Sequence, residues 1–262
     1  MLIGDSVRCF QSEWLKKKRS LGSWLIVVGA LFTPTIILAA RMLHRSKLPA
    51  LYAASDFWTS YWRSSWESMA IFFLPIAAIL VTSLIVQIEY RNNAWKQVNT
   101  TPLSLTTIYF SKLAVVLVLM AEFFLLFDVA VYASAIVPAI LFMDVSYPGA
   151  HLPLREFAVD TARYMVASLP IVVAQYVLSL RFRNFLVPVG VGFMTWVGAL
   201  AALSWKDGYI LPYIYTMLAY LRDDPKTRIT VSPFQLNDWA VGYALCFTLA
   251  GYLLFVNKAQ KG

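Results

Sequence analysis

Cysteine and histidine are scarce in this chain, two of each in 262 residues. Cys9 lies in the N-terminal segment and Cys246 inside the last apolar run. The two belong at different depths, so free thiols are expected rather than a disulfide. His44 and His151 fall in separate polar stretches with no Cys/His cluster at ligand spacing, which argues against a structural zinc site. Charge is thin as well: Asp, Glu, Lys and Arg make up 14% of the chain, against roughly 25% in a soluble domain. There is no G-x-x-x-x-G-K-[ST], hence no P-loop, and no H-E-x-x-H. A G-x-S-x-G nucleophile elbow is also missing. The apolar runs hold no histidine with which intramembrane protease chemistry could be built, so the chain is not expected to be an enzyme. No repeat of solenoid period occurs. A cleavable signal peptide is not expected, because Asp5, Arg8, Glu13 and the run Lys16-Lys17-Lys18-Arg19 precede the first apolar segment.

What the chain has instead is apolar length. Hydrophobic residues make up 60% of it, gathered into six runs near 24–40, 69–88, 113–138, 157–180, 185–205 and 239–256. A bilayer core of about 30 Å needs about 20 helical residues at 1.5 Å each, so these runs read as spans. The first is the shortest and contains Pro34, which a membrane helix tolerates where neighbours satisfy the freed carbonyl. Only Arg181-Phe182-Arg183-Asn184 separates the fourth run from the fifth, which requires a tight helical hairpin. The expected fold is an all-α integral membrane protein with six transmembrane helices.

Six spans place both termini on one side. Lys and Arg are nearly evenly divided between the two faces, but the segments on the terminal side are shorter and so more densely basic. Both termini are therefore expected in the cytoplasm. A net charge of +8 fits basic residues flanking spans better than a nucleic-acid partner. Within residues 1–23, Ile3, Val7, Phe10 and Trp14 recur at helical spacing beside basic positions. This predicts an amphipathic interfacial helix resting on anionic lipid, or a plain positive flank.

Two segments on the far side are unusual. In 41–68, Trp58, Trp62 and Trp66 recur at i, i+4 and i+8, one aromatic stripe on a helix. It is either an anchor at the membrane–water boundary or an outer aromatic face for an amphiphilic substrate. Residues 209–221, YILPYIYTMLAYL, are apolar but too short to span, which predicts a re-entrant or interfacial piece before the sixth span.

Intramembrane polar residues narrow the options further. Glu122 and Asp128 both sit in the third run, where an ionised carboxylate costs about 3 kcal/mol at the centre unless it faces protein or water. Six residues apart on a helix, they point to different faces and do not form a shared site. Arg163 is the expected partner of Asp128, and Gln175 that of Glu122. The roles open to them are helix–helix adhesion, proton relay or substrate contact. Gly198 and Ala202 form a small-xxx-small pair in the fifth run.

The most informative stretch is the polar island EYRNNAWKQVNTTPLSLTTIYFSK at 89–112, between the second and third runs. A short polar helix would end near Asn99–Thr101, since Pro102 disfavours helical geometry at Thr101. Glu89 is placed to pair with Arg91 or with a cation on a partner, and Trp95 offers a rigid aromatic anchor. An ordinary cytoplasmic loop is the alternative. The string around Glu89, Asn92, Asn93, Trp95, Thr101-Pro102 and Lys112 resembles the loop between the second and third spans of type-2 ABC exporter permeases. The lantibiotic-immunity and bacitracin-resistance permeases are the nearest likeness. Ala94 stands before the tryptophan where a small residue or Thr is usual, and Leu103-Ser104-Leu105 replaces the usual Ser-Arg.

The resemblance implies that residues 1–262 form a single permease domain. It implies a cytoplasmic coupling helix drawing on Glu89, Arg91, Asn92, Asn93, Trp95, Lys96, Thr101 and Pro102. The chain would hold no cofactor, ATP and Mg being bound by a separate cytoplasmic P-loop ATPase. A second permease, identical or related, would complete the pathway within the lipid of a bacterial cytoplasmic (inner) membrane. The implied activity is export of a peptide antibiotic or lipid-like amphiphile. Two competing readings are a non-transporting membrane module worked by an ABC ATPase, and a proton-coupled transporter using Glu122 or Asp128.

Overall fold

A chain this apolar must satisfy its backbone within each segment once it enters lipid, and helix does so locally. The computed structural model describes residues 2–17, 20–91, 103–148, 152–205, 207–222 and 233–259, and among them there is no strand. Six helices among the described residues are long and apolar enough to cross a membrane. An N-terminal helix α1 (Leu2–Lys17) precedes them. The first span is α2 (Leu21–Leu43), whose start Ser20 caps by accepting the Ser23 amide. Pro34 is buried within it. A short α3 (Leu48–Tyr52) follows.

The second span is longer than its apolar run. Helix α4 (Phe57–Ser68) passes through a π-helical turn (Met69–Phe73) into α5 (Leu74–Arg91). The stretch 57–68 reads as loop in the sequence because Ser, Arg and Glu dilute its hydropathy. It is helical because one face, Phe57, Trp58, Tyr61, Trp62, Ser65 and Trp66, is buried. The remaining spans are α6 (Leu105–Leu141), α7 (Leu154–Arg181), α8 (Leu186–Ala201, prolonged by a 3-10 turn to Ser204) and, at the end, α10 (Pro233–Ala259). Ser104 caps α6 by accepting the Thr107 amide at 3.1 Å.

Between α8 and α10 lies α9 (Tyr215–Leu221), with every side chain from Tyr215 to Tyr220 buried. The segment leading into it reaches inward as far as Gln175, to which Tyr213 donates a hydrogen bond. At its other end Tyr220 stands beside Arg63 near Tyr164, about three turns back along α7. The dip is packed against α7, the π turn and α10, so the re-entrant piece expected at 209–221 is present and enclosed by protein.

Burial separates the centre of the bundle from its rim. In the most apolar stretch of the second span 61% of residues are buried, against 22% in α2, 22% in α8 and 17% in α10. The outward faces of α2 (Val28, Phe32, Ile36) and α10 (Leu245, Leu249, Leu253) are exposed and apolar, as lipid contact requires. Helix α2 runs along α6, α5 along α7, and α10 along α7. The last pair approaches closely at Gly251, where a Cβ would collide with Val177 and lie 2.8 Å from the Tyr109 hydroxyl.

Candidate functional site

The described structure stops at the base of the polar island and resumes on its far side. Asn92, Asn93, Trp95, Lys96, Thr101 and Pro102, and the side chain of Arg91, lie outside the described residues. What can be built is the base. Glu89, on the last turn of α5, has 1% of its side chain exposed and meets Lys112 of α6 at 2.6 Å and Lys16 of α1 at 3.0 Å. The same two lysines also hold Glu13 of α1, at 2.7 Å and 2.5 Å. Two acids and two bases thus alternate in a closed ring, each lysine touching both carboxylates.

Neutrality is what makes this burial tolerable: an unpaired charge there would lose several kcal/mol of hydration, of which a complete set of opposite partners regains most. Burial alone would raise the pKa of Glu13, but Lys112 and then Lys16 hold it below its ordinary value. Burial likewise works against the charge on Lys16, and Glu13 and Glu89 outweigh it, leaving its pKa raised. One oxygen of Glu89, Oε2, is buried with no hydrogen-bond partner among the described residues.

A second ion pair extends the attachment of α1. Lys17 reaches Glu122 at 2.9 Å and lies 3.3 Å from the centre of the Trp14 ring. Glu122 is therefore paired with Lys17 of α1 and is not hydrogen-bonded by Gln175, the partner expected for it from the sequence. The geometry also gives the amphipathic α1 a side that faces protein. Val7 is half exposed, Cys9 and Glu13 are buried, and the helix is packed lengthwise on α6.

Gln175 has another task. Its amide nitrogen donates to Ser83 Oγ at 2.8 Å and to the Pro188 carbonyl at 2.7 Å, and its carbonyl accepts from Tyr213 at 3.1 Å. One buried side chain so joins α5, α7, α8 and the re-entrant dip. Gly192 makes this possible, because a Cβ there would sit 2.5 Å from Gln175 Oε1. The expected Asp128–Arg163 pair is not formed either. Thr161 donates to Asp128 Oδ2 at 2.9 Å, and Arg163 pairs with Asp160, one turn away on α7, at 2.9 Å.

The tryptophan stripe points inward and not toward lipid, as an anchor at the membrane–water boundary would. Trp58, Trp62 and Trp66 are 3%, 8% and 1% exposed. The reason is a matching set of rings on the facing helices. Trp66 stacks on Tyr164 with centroids 3.9 Å apart, Trp62 on Phe157 at 4.1 Å, and Trp58 on Tyr132 at 5.9 Å. Trp62 and Trp66 also border a cavity of about 550 Å³ between α4, α7 and α9, at the end of the bundle opposite the termini. Its rim carries Arg63, Arg155, Glu156, Asp160 and Arg163.

Sequence reasoning missed the ionic ring, of which Glu89 alone was singled out for pairing. The i,i+3 spacing of Glu13 and Lys16 is a readable local signal, but nothing local joins that pair to Glu89 and Lys112, 73 and 99 positions away. Among the described residues no group of three or more His, Cys, Asp and Glu side chains is arranged to hold a metal ion.

Comparison with known proteins agrees with this architecture. No curated protein matches the chain. A family model described as ABC-2 family transporter protein matches residues 9–202, from the first helix through the fifth span and well over half of the chain. Six membrane-crossing helices, a helix pinned ahead of the first, and a match of that extent make this chain a member of the ABC-2 transporter family, a transmembrane permease component and not the ATPase.

Proposed function

We propose that the chain is the permease subunit of an ATP-driven exporter that moves an amphiphile, a peptide antibiotic or a lipid-like molecule, out of the cytoplasmic membrane of a bacterium. Membership of the family implies a partner ATPase in general. In this reading that partner is a cytoplasmic P-loop subunit supplying ATP and Mg, and a second permease, identical or related, completes the pathway. Both termini face the cytoplasm.

The observation that carries the proposal is the cavity opposite the termini, where aromatic walls meet a rim of both charge signs. A pocket of this size lies within the usual range of roughly 300–1,000 Å³ for small-molecule sites, and its lining matches a molecule that is apolar on one side and charged on the other. The ring at Glu89 supports the drive mechanism. The loop 92–102, with Trp95 as its anchor, would dock on the ATPase. The ring ties both flanks of that loop to α1, so a push on the loop is carried to α5 and α6 as one body. ATP binding would shift the permease between two states only by the difference in affinity between them.

Two measurements test this. The chain is first purified in mild detergent and its co-purifying proteins identified. A stoichiometric P-loop ATPase is expected, and it should dissociate when Trp95 and Lys96 are both replaced by Ala. The complex is then reconstituted in proteoliposomes with a fluorescent amphiphile, and ATP-dependent movement is expected. Hydrolysis without movement would favour the non-transporting module. Movement that persists without ATP but is abolished by Asp128→Asn would favour proton coupling.

A further inference from the structure

We propose that Arg41, at the end of α2 opposite the termini, binds the phosphate of an anionic phospholipid in the leaflet at that end, on a platform made by Tyr52, Phe57 and Tyr61. None of these residues lines the cavity between α4, α7 and α9, so the proposal does not depend on what the protein moves.

The guanidinium is held in place by the protein alone. Its carbon lies 4.0 Å from the centre of the Tyr61 ring, 5.2 Å from that of Phe57 and 5.3 Å from that of Tyr52. All three rings are buried. Aromatic faces attract the cation and restrict the orientation of its fork. Nη1 donates to the Tyr52 hydroxyl at 3.0 Å, and that hydroxyl donates in turn to the Ala135 carbonyl of α6 at 2.6 Å. The chain of two bonds ties the arginine to a neighbouring span.

What this arrangement lacks is a counterion. Among the described residues Arg41 has no ion pair, and its hydrogen bond to Tyr52 is its only one. Asp144 is taken by Arg45 at 2.9 Å. Asp56, next to Phe57 in the chain, is exposed and forms no ion pair among the described residues. Nε and Nη2 of Arg41 are not among the buried atoms left without a partner. Having no protein partner, they therefore reach the surface. Their N–H groups share one edge of the fork, the arrangement that takes two oxygens of a phosphate at once. Arg41, Arg45 and Lys47 place three cations within seven residues, and Asp144 is the one acid paired to them among the described residues. That surplus favours an anionic lipid over a zwitterionic one, whose ammonium it would repel. Acyl chains have a surface to lie on, since Leu43 at the end of α2 is 83% exposed and Ile140 at the end of α6 is 74% exposed.

The test uses the full-length chain in phosphatidylcholine nanodiscs. A bimane fluorophore is placed on Leu43→Cys with the exposed Cys246 replaced by Ala, Cys9 being buried. Quenching by phosphatidylglycerol spin-labelled near its headgroup is compared with quenching by phosphatidylcholine labelled in the same way. The anionic lipid is expected to quench at a mole fraction on the order of fivefold lower, as one arginine near the surface supplies. Arg41→Gln should abolish that preference. A bimane on Leu21→Cys, at the other end of α2, should report no change. Arg41→Lys keeps the charge without the fork, should lose at least half of the preference, and is the companion variant should Arg41→Gln assemble poorly. No preference in the wild type, or the same preference in wild type and both variants, overturns the proposal. So does a loss at Leu21 equal to that at Leu43, which would mark a general effect of charge. Removal of the preference by millimolar inorganic phosphate overturns its lipid part and identifies a free phosphate site.

Discussion

Lys112→Met is the sharpest perturbation of the ionic ring. The wild-type lysine has 2% of its side chain exposed and neutralises Glu89 at 2.6 Å and Glu13 at 2.7 Å. Its loss leaves two buried carboxylates sharing Lys16, which is itself 34% exposed. Breaking a buried pair from one side costs about 3–5 kcal/mol, because a charge remains without its counterion. Lys16 can turn inward and recover part of this, so the lower end, about 3 kcal/mol, applies. At 1.4 kcal/mol per tenfold, the docking of α1 on α6 weakens on the order of a hundredfold. The reporter is already in the chain: Cys9 is buried on α1. With the exposed Cys246 replaced by Ala, maleimide labelling of Cys9 follows the fraction of time α1 is undocked. The expected result is a rate about a hundred times that of wild type at the same pH. Lys112→Met combined with Glu89→Gln leaves Glu13 and Lys16 as a self-sufficient pair and should restore most of the protection, with a coupling of about 1–2 kcal/mol. A Cys9 in Lys112→Met that labels no faster than wild type, or a double variant whose loss is the sum of the singles, would show that the four charges do not act as a unit.

Further outcomes follow from the same geometry. The pKa of Glu13 is lowered in the folded chain, so its stabilising contribution is fully present above its ordinary value of 4.5 and is lost as pH falls through the lower folded value. That of Lys16 is raised, so its contribution is present below its ordinary value of 10.5 and is lost as pH rises through the higher folded value. Cys9 protection, corrected for thiolate content, should therefore be flat between those limits, and Glu13→Gln, less protected throughout, should lose Glu13's share of the fall in acid. Gly192→Ala places a methyl against Gln175 and Ile79. It should destabilise the chain by about 1–3 kcal/mol, seen as a lower melting temperature in detergent. Tyr213→Phe should cost about 1 kcal/mol by freeing the Gln175 carbonyl, and should add little to a Gln175→Leu background. Independence of these last two changes would show that Tyr213 and Gln175 do not anchor the re-entrant dip together.

The spans were legible because apolar runs of about twenty residues have few other uses, and the structure places a helix over each. The ends were less legible. Residues 57–68 carry Arg63, Glu67 and five serines or threonines at a level of hydropathy that reads as loop, although the buried face is aromatic but for Ser65. Their stripe spacing was visible, but which way it pointed depended on Tyr164, Phe157 and Tyr132 arriving from other helices. The partners of Glu122 and Asp128 were misjudged for the same reason. Depth along a helix narrows the candidates, whereas rotation and the position of α1 decide among them. Gln175 was recognised as a buried polar group, but its bond to Tyr213 needed the path of the dip. The loop at 92–102, where the family resemblance is strongest, lies outside the described residues, and its contribution stays with the proposal.

The ring joins parts of the chain that leave the ribosome far apart. Glu13 and Lys16 are made first, Glu89 comes 73 residues after Lys16, and Lys112 comes 99 residues after Glu13. Until the third span is threaded, α1 has no α6 to lie on, and Glu13 and Lys16 have each other as the nearest opposite charge. Docking of α1 on α6 through these charges thus needs Lys112, the last of the four in the chain. A third span inserted backwards would leave Glu89 buried beside an unfilled position. The four charges therefore close into a ring only when α1, α5 and α6 are all in place.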